Sequence, residues 1–229
     1  MSLSEKDYRI TEYLSQYISD HKKQFVEMVL SERTRYLTVV LEDIYQSQNA
    51  SAVVRTCECM GLQDIHIIEN STQYEVNRYV LKGSYKWVNL IRYKKARLNN
   101  TELCYQRLRE LGYTIYATDP SGANQSIHDV DLSRSKAALV FGNELNGLSD
   151  YALQNADFRV RIPMYGFTES LNISASVAVC LSALVPRLRS MPGLYELNRE
   201  EKEELRLTWY RKMVKKSFLI EKQFLKTIA

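Results

Sequence analysis

Three short stretches of this chain gather glycine, amide, carboxylate and guanidinium groups close to apolar runs. The first is Gln48-Asn49-Ala50-Ser51-Ala52-Val53-Val54-Arg55-Thr56. Its small residues would let another backbone or a ligand come close. Asn49 suits a helix N-cap, where a side-chain oxygen accepts an orphan backbone N–H. Arg55 could run out to solvent, or present its planar fork to a phosphate. The two residues are six positions apart, which an ideal helix does not put on one face. They can act together only if Asn49 belongs to the loop before the helix.

The second stretch is Phe141-Gly142-Asn143-Glu144-Leu145-Asn146-Gly147-Leu148-Ser149. Here a buried run ends in glycine, then an acid, then a second glycine. Glycine lets a backbone turn sharply or approach a ligand. Neither the dinucleotide pattern G-x-G-x-x-G nor a phosphate-binding P-loop is present. Glu144 also fits the plain role of an acid at a helix start. The third stretch runs from Ile162 through Pro163, Ser170 and Asn172 to Ser176, joining an apolar strand to a helix rich in small residues. Ser170 is a candidate cap for that helix. Leu171, Ile173, Val177, Val179, Leu181 and Leu184 then surround much of its perimeter. One core face needs fewer apolar directions. Such a helix is expected to be covered on two sides, by its own sheet and by something else, with a second subunit the natural candidate.

The elements that must position these groups follow from periodicity. Apolar, β-branched runs at 36–41, 65–68, 87–93, 113–118, 137–141 and 158–164 predict strands. Helices are expected at 50–60 and 101–111, ending at Gly61 and Gly112, and at about 171–188. Strand and helix alternate, which predicts a mostly parallel α/β sheet with helices on both faces. Helical patterns at 4–30 and 196–224 break the alternation. They read as an N-terminal extension over 1–35 and a basic C-terminal extension over 191–229, flanking one domain at 36–190.

Composition narrows the function. With 229 residues, 45% apolar and 25% charged, the chain is an ordinary globular one, long enough for one α/β domain with helical additions. It has no apolar run of membrane-spanning length and no export-signal pattern at its start, so a cytoplasmic protein with no membrane partner is expected. Cys57 and Cys59 stand in C-x-C, which is not a zinc spacing, and the three histidines are scattered, so no metal site is expected. Net charge is +4, but its distribution says more. Between Arg78 and Arg97 lie seven basic residues, Lys82, Lys86 and Arg92 among them, and no acid. Tyr79, Tyr85, Trp87 and Tyr93 are interleaved. Cations neutralise phosphates and aromatic faces stack on bases, so RNA contact is one reading. A solvated loop and strand edge is the other.

Taken together, N-x-S-A-x-x-R-T at 49–56, G-S-x-x-W-V at 83–88, F-G-N-E-x-x-G at 141–147 and I-P-M followed by S-L-N-x-S within 162–174 resemble the SPOUT methyltransferases. The likeness spans about 36–190 and is greatest to the TrmH type, the tRNA guanosine-2′-O-methyltransferases. It implies an α/β domain whose C-terminal part forms a deep trefoil knot, an arrangement that chain-connection rules would never suggest. It implies S-adenosylmethionine as cofactor, no metal, and a homodimer with each active site at the subunit interface. Cofactor contacts carry over to Thr118, Gly142, Asn143, Ile162 and Leu171. Catalytic positions carry over to Asn49, Arg55, Glu144, Ser170 and Asn172. The family's arginine is held to activate the 2′-hydroxyl. A guanidinium is ordinarily a poor base, with a pKa above about 12. Arg55 either loses its proton with help from a substrate phosphate, or stays charged, anchors that phosphate and stabilises the developing alkoxide. The second is favoured on these grounds.

Helices at both ends, where the family's ribosomal RNA enzymes carry a small N-terminal RNA-binding domain, resemble the tRNA enzymes, and that resemblance implies a D-loop guanosine of tRNA as the target. Arg211, Lys212 and Lys215 of the C-terminal extension are candidates for gripping the tRNA backbone, or simply form a solvated face. The competing readings are 2′-O-methylation of ribosomal RNA, a non-catalytic RNA-binding protein of the same fold, and a dinucleotide-dependent oxidoreductase. The last lacks its glycine fingerprint.

Overall fold

The computed structural model describes residues 3–74, 77–123 and 125–227. Its strands are β1 (Leu37–Glu42), β2 (Asp64–Ile68), β3 (Asn89–Tyr93), β4 (Tyr113–Thr118), β5 (Gln125–Ser126), β6 (Lys136–Phe141) and β7 (Phe158–Arg161). They form one sheet in the order β3-β2-β1-β6-β4-β7-β5, with every pairing parallel. The helices are α1 (Glu5–Ser15), α2 (Asp20–Glu32), α3 (Ser47–Cys59), α4 (Arg78–Leu81), α5 (Asn100–Glu110), α6 (Asp150–Asn155), α7 (Ile173–Arg189), α8 (Arg199–Met213) and α9 (Ser217–Thr227).

The chain divides into two compact units. Thr34–Tyr195 carries the sheet. Met1–Arg33 and Glu196–Ala229 make up the other. In the α/β unit the alternation of strand side chains sorts the core onto two faces. Val39, Leu41 and Leu139 pack with Val53, Val54 and Cys57 of α3 and with Leu181 and Leu184 of α7. Val40, Ala138 and Val140 pack with Cys104, Tyr105 and Leu108 of α5 and with Ala152 of α6. Burying a strand on both faces removes the need for polar alternation, and all six residues of β1 are buried.

In the helical unit α1 packs on α8 and α9, and α2 on α8. The buried Trp209 ring there lies under the Arg33 guanidinium, 5.5 Å from the ring centroid. Arg206 meets both carboxylate oxygens of Glu27 at 2.6 Å.

Both expected terminal helices are broken in two. At the N-terminus, Tyr17 and Ile18 donate back to Leu14 and Ser15 in a tightened last turn, and Ser19 is extended before Asp20 restarts the helix. At the C-terminus, α8 starts from Asn198, whose side chain and that of Glu201 form a reciprocal capping box. It ends at an extended Val214, and Lys216 takes a left-handed φ of 59°. In the sheet, β7 stops at Arg161, short of the expected 164, because Pro163 has no N–H for the ladder. The two-residue strand β5 falls in a stretch with no apolar run to announce it.

Candidate functional site

The loops after three adjacent strands enclose a cavity of about 500 Å³. It lies at the carboxyl ends of β4, β6 and β7, where open parallel sheets gather ligands. Thr118 opens the β4 wall. Its hydroxyl donates to the Val140 carbonyl at 2.8 Å, and Asp119 donates its amide to Val160 at 2.9 Å. These two bonds lash the three strand ends together.

The β6 wall is a tight turn. Asn143 and Gly147 exchange backbone hydrogen bonds of 2.8 and 2.9 Å. Gly147 has a φ of 69°, which only glycine adopts without strain. Gly142 faces the other side of this turn so closely that a Cβ would collide with the Gly147 and Leu148 backbone. The Asn143 side chain holds the turn to β1: its amide donates to the Asp43 carbonyl at 2.5 Å.

Glu144, Asn49 and Asn172 form one chain of contacts along the cavity wall. The Glu144 carboxylate accepts from the Asn49 amide at 2.9 Å and from the backbone N–H groups of Tyr45 and Gln46 at 3.0 and 3.4 Å. Asn49 in turn accepts from the Asn172 amide at 3.1 Å. Asn172 accepts from the Ser174 backbone at 2.9 Å, so it is Asn172, not Ser170, that caps α7. Nor is Asn49 an N-cap. The helix begins two residues before it, with Gln46 in the cap position, and Asn49 is buried inside the first turn.

Ser170, Ile162 and Leu171 line the same cavity, together with Thr118, Gly142 and Asn143. Arg55 does not. It is exposed on α3, and six helical residues carry it about 9 Å along the axis and roughly 120° around from Asn49.

Two acids that sequence reasoning did not single out support this wall. Glu42, at the end of β1, is 2% exposed. It accepts from the Thr101 hydroxyl at 2.5 Å and from the Ser149 amide and hydroxyl at 2.9 and 2.8 Å, pinning the starts of α5 and α6. Asp43 takes a left-handed φ of 50°. One of its carboxylate oxygens accepts the backbone N–H groups of Asn70, Ser71 and Thr72 at 2.8, 2.9 and 3.0 Å. The only sequence signal for either is its place at the end of an apolar run, and many solvated acids share it.

The proposed RNA contacts fall into two groups. Lys82 and Lys86 are exposed around the turn at Gly83. Arg92 is engaged within the fold: it binds both oxygens of Glu69 at 2.8 and 2.6 Å and lies over the Tyr74 ring. Burial would raise the Glu69 carboxyl, but Arg92 and the Tyr74 amide hold it below the usual range. The side chains of Arg78 and Tyr79 lie outside the described residues. In the helical unit Arg211, Lys212 and Lys215 are all exposed, and Arg211 is tied to Glu221 by bonds of 3.0 Å. Among the described residues no His, Cys, Asp or Glu cluster could hold a metal ion, and no helix is long and apolar enough to cross a membrane.

Comparison with known proteins follows the same lines. Residues 36–182 match the SpoU rRNA Methylase family. A tRNA (guanosine(18)-2′-O)-methyltransferase of Borreliella burgdorferi is 46% identical over 208 residues, 91% of this chain and 93% of that protein. The crystal structure of the Aquifex aeolicus TrmH/SpoU tRNA modifying enzyme is similar at a TM-score of 0.72 and 27% identity, covering 86% of this chain and 98% of the other. A SpoU methyltransferase from Streptomyces viridochromogenes, solved in complex with the cofactor AdoMet, is similar in fold at a TM-score of 0.57 and 21% identity, over 71% of this chain and 62% of its own.

Proposed function

Because this chain belongs to the SpoU methylase family, we propose that it transfers a methyl group from S-adenosylmethionine to the ribose 2′-hydroxyl of a guanosine in tRNA. The observation that carries this reading is the Glu144–Asn49–Asn172 chain. It ties the helix bearing Arg55 to two loops of a cavity suited in size to a small cofactor.

The cavity fits S-adenosylmethionine in its chemistry as well. Its walls are loop backbone, amides and apolar side chains, which suit a nucleoside, and the exposed carboxylate of Glu169 is on hand for a cationic ligand. Thr118, Gly142, Asn143, Ile162 and Leu171 would hold it. Bound there, it supplies a methyl group on a sulfonium leaving group. The rest falls to the protein. Holding two reactants in line supplies a large part of such a rate. Glu144 already accepts three N–H groups, so it acts by fixing the loop and Asn49. Asn49 and Asn172 orient the acceptor side of the cavity. Ser170 offers an exposed hydroxyl in the wall. Arg55 stays charged, anchors a substrate phosphate and stabilises the alkoxide as it forms.

Arg55 lies outside the cavity of its own chain, and this supports a homodimer in which one subunit's Arg55 serves its partner's cavity. The outer face of α7 supports it too, since Ala175, Val179, Ser182 and Pro186 stand exposed there at helical spacing. The same reading carries the family's trefoil knot, the tRNA contacts of Lys82, Lys86, Lys212 and Lys215, and work in the cytoplasm.

The test is methyl transfer from labelled S-adenosylmethionine to purified tRNA and, separately, to ribosomal RNA. Label should map to a guanosine ribose at position 18, the position in the relatives' name, and vanish in Arg55→Ala. Label on ribosomal RNA alone would overturn the substrate. In Arg55→Lys an anchoring role leaves the apparent pKa of the single-turnover rate in place, whereas a base role moves it.

A further inference from the structure

A second concave site borders the first. A groove of about 660 Å³ lies between the start of α3 and residues 71–74. Gln46 lines both, and the amides of Tyr45 and Gln46 are the ones bound to Glu144. Both of its walls are anchored. Glu144 holds the segment before α3, and the three amides on Asp43 fix residues 70–72.

The chemistry of this groove is specific. Among the described residues none that lines it is charged, so these offer little to a phosphate or a cation. Tyr45 stands 67% exposed at its edge. Gln48 and Gln73 are exposed. Gln46 uses its side-chain oxygen on Asn49 and so keeps a free NH₂ donor. An exposed aromatic face beside amides with both donor and acceptor capacity is how proteins hold an unstacked nucleobase.

We propose that this groove receives the guanine base of the acceptor nucleotide, an inference that rests on the methyl-transfer reading above. Tyr45 stacks on the base. Gln46 donates to its acceptor edge and Gln73 accepts from its donor edge. With the base there, the ribose falls at the boundary the two sites share, beside Asn49. Guanosine selectivity then belongs to Tyr45, Gln46 and Gln73, while the cofactor loops serve any nucleoside.

The test measures tRNA methylation and S-adenosylmethionine affinity in wild type, Tyr45→Ala and Tyr45→Phe. Losing a base stack should raise the KM for tRNA by about 5- to 150-fold in Tyr45→Ala. Tyr45→Phe keeps the stack and should stay close to wild type. Cofactor affinity, read by calorimetry, should not change in either. A tRNA with an abasic ribose at the acceptor position supplies the second arm. The wild type should bind it more weakly by at least that factor, since the contacts to Gln46 and Gln73 go too, and Tyr45→Ala should bind it no worse than wild type does. The proposal is overturned if Tyr45→Ala leaves the KM for tRNA unchanged, if cofactor affinity falls in parallel, or if the variant weakens intact and abasic tRNA equally. A wild type that methylates no guanosine in tRNA would instead defeat the functional reading itself.

Discussion

Gly142→Ala is the smallest change that should disable the cofactor site while leaving the fold. A Cβ at this position would lie closer than 3 Å to the carbonyl of Gly147 and the amide of Leu148. Both are backbone atoms, so no side chain can swing aside to make room. The turn must open, and the reciprocal pair between Asn143 and Gly147 goes with it. Each of those bonds is worth roughly 1 kcal/mol net, so ordering the loop around a ligand should cost about 2 kcal/mol more. That corresponds to about 30-fold weaker binding of S-adenosylmethionine, before any steric term is added. The core should survive, because Gly142 follows the last residue of β6 and the clash is with the loop atoms of Gly147 and Leu148. Calorimetric titration with the cofactor, paired with a thermal melt, separates the two effects. Undiminished affinity in a folded variant would refute the reasoning, since it would mean that the turn does not shape the site.

Three further outcomes are expected. Glu42→Ala strips the partner from Thr101 and from the Ser149 amide and hydroxyl, so it should lose about 3 kcal/mol of stability; an unchanged denaturant midpoint would contradict this. Asn172→Ala removes the cap of α7, worth about 1 kcal/mol, and frees Asn49; turnover should fall more than cofactor affinity, as steady-state kinetics beside calorimetry would show. Burial first, and Arg107 second, push the His66 pKa down from 6.5 to about 4. Unfolded chains therefore take up a proton between those values that the folded protein refuses, and stability falls as pH drops through this window, by at most about 3 kcal/mol. Urea midpoints across it should flatten in His66→Phe, and an unchanged slope would remove His66 from the account.

Much of the sheet could be read from sequence because it is buried on both faces. Runs such as Thr38-Val39-Val40-Leu41 and Ala137-Ala138-Leu139-Val140 have no solvent face to dilute the pattern. The terminal helices were harder. Their breaks at Ser19 and Val214 depend on local hydrogen bonds, and the apolar stripe runs on across both. At the site, glycines and amides were legible as types but not as partners. Asn49 has the residue type of a cap, yet its side chain spans two loops that lie 95 and 123 residues away in sequence. Nothing local records such a contact. Glu42 and Asp43 are the extreme case: two neighbouring acids, one buried under hydroxyls and one holding three backbone amides, with no difference in sequence to tell them from solvated carboxylates.

The spacing of Asn49 and Arg55 shows what sequence geometry can decide and where it stops. Six residues of helix forbid a shared face, so the two could cooperate only if Asn49 left the helix. Asn49 is helical and Arg55 lies outside the cavity, so the alternative fails within one chain. The proposed homodimer meets this by letting a second copy present Arg55 to a ribose beside Asn49. The outer face of α7 is consistent with the same arrangement: its inner face is filled by its own core, while Val179 is 38% exposed beside exposed Ala175, Ser182 and Pro186. The exposed stripe on α7 and an arginine turned away from its own cavity both fit the proposed homodimer, and a charge at Val179 that breaks it should leave cofactor binding intact and abolish methyl transfer.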